Sequence, residues 1–130
     1  MNTWRLYLAV GVGSALGSVC RLLVGWLFMA FETASFPWAT LLVNVLGSWL
    51  IARFAVHASL RECGRLARLQ PFLVAGFCGG FTTFSLFSLE AVTFVADGRP
   101  LLAAWYVVIS VPAWLIAAWW GDRGARRALT

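Results

Sequence analysis

Hydrophobic positions fall into four long runs, at about residues 4–31, 37–58, 71–96 and 101–120, separated by short polar stretches. Each run is at least the roughly 20 residues that a helix needs to cross the hydrocarbon core of a bilayer. The runs are apolar on all sides, as expected of a membrane span. A short polar loop lies at residues 32–35, and the connector at 59–70, Ser-Leu-Arg-Glu-Cys-Gly-Arg-Leu-Ala-Arg-Leu-Gln, is the one strongly polar segment. Pro37 and Pro71 open the second and third runs, where a missing N–H costs nothing. Asp97-Gly98-Arg99-Pro100 reads as a turn, and Gly121 is the expected end of the fourth helix. The first run is long and lacks a small-residue cleavage site after a short apolar core, so it reads as a retained span. The pattern therefore predicts an all-α membrane protein with four transmembrane helices in a single domain over residues 1–130, both termini on one side.

Composition agrees. Of 130 residues, 62% are hydrophobic and 12% charged, against about 45–50% and about 25% in soluble domains. An ordinary soluble enzyme and a disordered chain are both excluded. The net charge of +5 would point to nucleic acid in a soluble protein. Here it reads as topology, with no nucleic-acid partner. Arg5, Arg53, Arg61, Arg65, Arg68, Arg123, Arg126 and Arg127 fall on or near the terminal side, and Arg99 falls opposite. The positive-inside rule then places both termini in the cytoplasm. Trp4, Trp38, Trp105, Trp119 and Trp120 lie near span ends, as an interfacial belt requires.

Catalytic chemistry has little to work with. His57 is the single histidine and has no mate at metal spacing. Cys20, Cys63 and Cys78 are odd in number and widely spaced, so neither a disulfide framework nor a metal site follows. The third run is the informative one. Its middle reads Gly76-Phe-Cys-Gly79-Gly80-Phe-Thr82-Thr83-Phe84, and paired glycines followed by paired β-branched threonines make a poor helix. A break over residues 79–83 would free carbonyls for a hard cation and N–H groups for an anion. The alternative is close packing, since Gly13-x-x-x-Gly17 and Gly76-x-x-x-Gly80 both have small-residue packing spacing. Both readings stand at this level.

A few polar residues inside the runs add to the inventory. Arg21 lies deep in the first run, where a charge costs about 2.5–3.5 kcal/mol on insertion scales, and Glu90 is the one acid inside a run that could offset it. Arg21 points to an anion vestibule, or else to snorkelling or a structural hydrogen bond. Asn44 is placed to donate to an anion or to clasp two helices. Tyr106 and Ser110, four apart, share a helical face and form a hydroxyl track. Phe81, Phe84 and Phe87, at three-residue spacing, share another. The positive edge of a phenyl ring can face an anion without trapping it. Donors and aromatic edges outnumber acids, which suits a small anion better than a cation.

Three segments resemble the Fluc/CrcB family of bacterial fluoride channels. They are Gly13-Ser-Ala-Leu-Gly17-Ser-Val-Cys-Arg21, the second-run segment Pro37-Trp-Ala-Thr40-Leu-Leu-Val-Asn44-Val-Leu-Gly47-Ser48, and Gly76 to Ser88. The last is the most specific, and length and span count match end to end. The resemblance implies a fluoride-selective channel in the bacterial inner membrane, not an enzyme, built as an antiparallel, dual-topology homodimer. It implies two pores and one structural sodium ion on the two-fold axis, held by the backbone carbonyls of Gly79 and Thr82. It maps the fluoride pathway to Asn44, Thr83, Phe84, Phe87, Tyr106 and Ser110, and the vestibule to Arg21 and Glu90. Departures are Ala39 for a frequent Gly, Trp49 for Phe, Leu86 for a common Thr, and Pro112 and Trp114 in a region often small and polar. The expected polar track therefore stops at Ser110. Two other classes remain. A small multidrug-type proton-coupled exporter calls for an acid in the first span, where this chain has Arg21. An anchor subunit of a membrane enzyme calls for haem-spaced histidines.

Overall fold

The computed structural model describes residues 2–29, 36–60 and 65–128. The loop expected at 32–35, the last two positions of the first run, and Arg61 and Cys63 of the connector lie outside the described residues. Every described element is helical: α1 (Thr3–Met29), α2 (Trp38–Leu60), α3 (Arg65–Gln70), a π-helical segment (Pro71–Cys78), α4 (Gly79–Phe81), α5 (Phe84–Ala96) and α6 (Pro100–Arg127). Four rods, Thr3–Met29, Trp38–Leu60, Arg68–Ala96 and Pro100–Arg127, are long and apolar enough to cross a membrane. The third rod runs through α3, the π-helical segment, α4 and α5.

Cross-contacts define the directions of the rods. Gly13 of α1 lies against Phe72 and Phe77, and Gly17 against Phe77 and Phe81, so the first and third rods run parallel. Trp49 lies against Gly121, while Thr40 and Tyr106 meet a common partner in Glu90, so the second and fourth also run parallel. Asn44 opposite Thr83 and Thr40 opposite Glu90 set α2 antiparallel to the third rod.

Lipid offers no hydrophobic drive for helix association, so packing must come from close backbone approach. The glycines supply it. A Cβ on Gly13 would meet the Phe72 carbonyl, one on Gly17 the Phe77 carbonyl and one on Gly80 the Ser14 carbonyl; one on Gly76 would lie 2.8 Å from the Val10 carbonyl. The two small-residue motifs thus interlock with each other. The same device recurs between α2 and α6, where a Cβ on Gly121 would meet the Trp49 carbonyl. Small and polar residues make up much of the buried set, among them Thr40, Asn44, Cys78, Ser110, Ala117 and Ala125, beside the larger Val43, Phe81, Phe87 and Tyr106, while the five belt tryptophans are all exposed.

The helix ends follow their sequence signals except at the C-terminus. After α5, Arg99 N–H bonds the Phe94 carbonyl at 2.8 Å and Gly98 N–H the Val95 carbonyl at 3.1 Å. That is a Schellman closure, with Gly98 at φ 73°. Pro100 then opens α6. Gly121 does not end that helix, which continues to Arg127. Gly121 serves the contact with Trp49, and an Asp122–Arg126 pair at 2.9 Å bridges the next turn. A Cβ on Gly124 would lie 3.4 Å from Arg53 Nη1, so Arg53 shares the C-terminal end, as the arginine count required.

Gly17→Val is expected to lower the thermal midpoint in detergent markedly, because overpacking against a backbone carbonyl costs about 1–3 kcal/mol or more. Gly25→Ala, with nothing within 4 Å of its added Cβ, should be neutral or stabilising. Size-exclusion survival after heating separates the two, and equal behaviour would contradict the interlock.

Candidate functional site

The third rod breaks, but over fewer residues than its composition predicts. Gly79 and Gly80 are helical, with Gly79 at φ −62°, ψ −37°. The extended residues are Thr82 (φ −81°, ψ 156°) and Thr83 (φ −149°, ψ 118°). Gly80 is there for close approach to Ser14 of α1, and the threonines take the extended conformation that β-branching favours. Packing and a backbone break, open alternatives in the sequence, are both realised on neighbouring residues. The break also separates Phe81 from Phe84 and Phe87. Phe81 is buried and stacks on Phe77 at 5.8 Å between centroids, so the three rings do not share one face.

Asn44 holds the break open. Its Nδ2 donates to the Thr83 carbonyl at 2.9 Å, and its Oδ1 accepts from Thr83 N–H at 2.7 Å. The side-chain amide thus pairs with one backbone residue as a neighbouring strand would. Thr83 Oγ1 in turn accepts from Leu86 N–H at 3.1 Å and caps α5. In an unbroken helix Thr83 N–H would serve the Gly79 carbonyl and Leu86 N–H the Thr82 carbonyl. Both donors are diverted. The two carbonyls that the resemblance assigns to a sodium ion are therefore among those that lose their helical donors at this break. Gly79 is exposed on the surface of the single chain. Among the described residues no three His, Cys, Asp or Glu side chains come together, so backbone oxygen is the hard-cation donor this region offers.

A pocket of about 170 Å³ adjoins the break, lined by Asn44, Ser48, Ile51, Thr82, Thr83, Phe84 and Trp114. Phe84 is 71% exposed and Phe87 4%, with 5.6 Å between their centroids. Phe87 packs on Tyr106 at 4.9 Å and meets Trp114 edge-on at 4.8 Å. Ser110 is wholly buried, one turn from each of those α6 residues.

Tyr106 does not present a free hydroxyl. Its Oη donates to Glu90 Oε2 at 2.7 Å, and Thr40 Oγ1 donates to Glu90 Oε1 at 2.7 Å. Glu90 of α5 is thus tied to α2 and α6 through both carboxylate oxygens. Arg21 and Glu90 border one groove of about 490 Å³, together with Ser18, Pro37, Thr40 and Leu86. The charge and the acid that were isolated in sequence therefore face a common space. Thr40 was not singled out, although it stands one turn before Asn44 on the same face of α2. Trp114 was read as a departure, yet it borders the pocket with Asn44. His57 Nδ1 lies 2.8 Å from the Arg53 carbonyl of its own helix, and Cys78 is buried, so both belong to packing.

A sequence model described as "CrcB-like protein, Camphor Resistance (CrcB)" matches residues 8–122. The chain belongs to the CrcB family. Among CrcB-type relatives it is similar to "Fluoride-specific ion channel FluC" of Chlorobium chlorochromatii (strain CaD3), 48% identical over 92% of this chain and 91% of the relative. A protein of the same description from Nitrobacter winogradskyi is 46% identical over 83% of this chain and 85% of its own. "Fluoride-specific ion channel FluC 1" of Rhodopseudomonas palustris (strain BisB18) is 41% identical over 94% and 87%. With its four apolar rods, this CrcB-family chain is a multi-pass membrane protein.

Asn44→Ala would leave the buried Thr83 N–H unpaired, at about 1–3 kcal/mol, and would take one of two donors from the Thr83 carbonyl, which as N-cap of α5 also accepts the first helical bond. Thr83→Ala removes only a cap, typically about 1 kcal/mol. Thermal melts in detergent should show the larger loss for Asn44→Ala, and the reverse order would remove Asn44 as the element that holds the break.

Proposed function

We propose that this chain is a fluoride-selective ion channel that lets fluoride leave the cell passively, not an enzyme. Family membership, with relatives named as fluoride-specific channels, carries the reading, and the geometry supplies a physical route. Hydrogen fluoride is a weak acid. It enters across the bilayer, dissociates at neutral pH and traps fluoride inside. An inside-negative potential favours anion exit by about 2.3 kcal/mol per 100 mV, so a selective leak needs no coupled energy source. A proton-coupled exporter is disfavoured by the family assignment and by Arg21 in place of a first-span acid.

A fluoride ion gives up its hydration shell only where donors replace water without holding it. Asn44 keeps a second amide hydrogen after its bond to Thr83, the Thr83 hydroxyl precedes Phe84 in the chain, and Ser110 lies on α6 between Tyr106 and Trp114, which both meet the Phe87 ring. These groups form the pathway, Tyr106 shapes it from behind Phe87, and Arg21 with Glu90 forms the vestibule. Arg21 concentrates the anion, while Glu90, held by Thr40 and Tyr106, fixes the mouth.

The working unit is an antiparallel homodimer in the bacterial inner membrane. Lipid cannot satisfy backbone polar groups, and broken backbone at membrane depth survives only where protein or a cavity covers it. Gly79 stands exposed beside the break, so a second copy is the cover that this region requires. The Gly79 and Thr82 carbonyls fit a hard monovalent cation, and the sodium ion they would hold supplies positive charge that joins the two copies.

Phe84→Ile and Asn44→Asp are expected to slow fluoride efflux from proteoliposomes at least about tenfold, with negligible chloride efflux throughout; unchanged fluoride efflux in both removes the assigned pathway. Replacing sodium by a large organic cation during purification should weaken the dimer on size exclusion, and indifference argues against carbonyl coordination. Tags at the termini should be found on both faces of the membrane, against the cytoplasmic placement that the arginine count alone favours. Tags seen only in the cytoplasm would rule out the antiparallel pair.

A further inference from the structure

Tyr106, Ser110 and Trp114 recur every four residues and so form one stripe along α6. Tyr106 spends its hydroxyl on Glu90. The other two do not spend theirs. Ser110 Oγ and Trp114 Nε1 are buried, and neither meets a hydrogen-bond partner among the described residues. Buried donors are nearly always paired, so each exception calls for a reason.

The surroundings narrow it. Trp114 walls the pocket that also holds Asn44, Ser48, Thr82 and Thr83, a lining without a carboxylate. An indole N–H donates and never accepts, so its partner must be an acceptor. The Phe87 ring packs on both Tyr106 and Trp114, the residues that flank Ser110 on this stripe. Both donors are therefore shielded beside the Phe87 ring, and Trp114, as a wall of the pocket, is the one that adjoins its space.

We propose that Trp114 is a direct hydrogen-bond donor to the permeating anion, carrying the donor row of α6 one turn beyond Ser110. This rests on the fluoride-channel reading. Its chemistry is that of a neutral donor, in which the indole N–H replaces one water of the fluoride shell and contributes no charge that would trap the ion. By sequence the row ends at Ser110, because Pro112 and Trp114 depart there from a region often small and polar in the family.

Trp114→Phe keeps a ring and removes the N–H. In proteoliposomes its fluoride efflux should fall at least about tenfold relative to the unaltered chain, with unchanged elution as a dimer. In detergent, the indole 15N–1H resonance that is missing from Trp114→Phe should move in the unaltered protein on titration with sodium fluoride and stay still with sodium chloride. A conducting wild type with undiminished Trp114→Phe efflux overturns the proposal, as does a fluoride-sensitive resonance that persists in Trp114→Phe. Should that variant not fold, the wild-type spectrum still decides: no indole resonance moving with fluoride overturns the proposal. A wild type that conducts no fluoride overturns the channel reading itself, a separate outcome.

Discussion

The pairing of one side-chain amide with one backbone residue is the constraint on which the rest of the site depends. Asn44 gives and takes a hydrogen bond with Thr83, and by doing so makes a non-helical residue tolerable at membrane depth, where each unsatisfied backbone group costs several kcal/mol. Everything nearby follows from that diversion. Leu86 N–H is left for the Thr83 hydroxyl, α5 starts afresh at Phe84, and the Gly79 and Thr82 carbonyls lose their usual donors. A leucine at position 44 would suit an apolar helix but would leave the Thr83 N–H without this partner.

The clasp works only if α2 and the third rod are held at fixed depth, which is the role of the glycines. Gly13 meets Gly76, Gly17 meets the Phe77 carbonyl and Gly80 meets the Ser14 carbonyl, all at backbone contact, and Gly47 receives the Thr82 methyl. These contacts are short-range and steric, so they fix register as well as distance. A one-residue slide would carry a side chain into a carbonyl. Depth is thereby transmitted from α1 through the third rod to the break, and from α2 to α6, whose stripe of Tyr106, Ser110 and Trp114 faces Phe87. The exposed apolar surface of the single chain carries no such constraint.

Glu90 illustrates the economy with which charge is handled. Two hydroxyls from different helices bond its two oxygens, and Arg21 borders the same groove. A carboxylate bonded in this way stays oriented, and the groove holds both signs of charge. The proposed pathway then runs from this charged mouth to neutral donors. That order suits an ion which must be attracted first and released afterwards.

Much of this was legible in the residues. Long apolar runs and their proline and glycine punctuation define four spans, because a bilayer imposes length and hydropathy on any helix that crosses it. The Gly-x-x-x-Gly spacings announced packing, and Asn44 announced either a donor or a clasp, because an amide in hydrocarbon must be paired. The partners were not legible. Asn44 and Thr83 are 39 residues apart and Thr40 and Glu90 are 50, and no local periodicity encodes which meets which. For the same reason the break was drawn too wide. Glycine serves equally for an unwound turn and for a close contact, and only the Ser14 carbonyl lying over Gly80 decides between them. The sequence by itself determined that this is a four-span membrane chain with a weak point in its third span and few polar groups to spend. The tertiary structure decided which two residues leave the helix, which side chain satisfies them and which donors on α6 stay unpaired, because those outcomes depend on distances between segments that meet only after the helices pack.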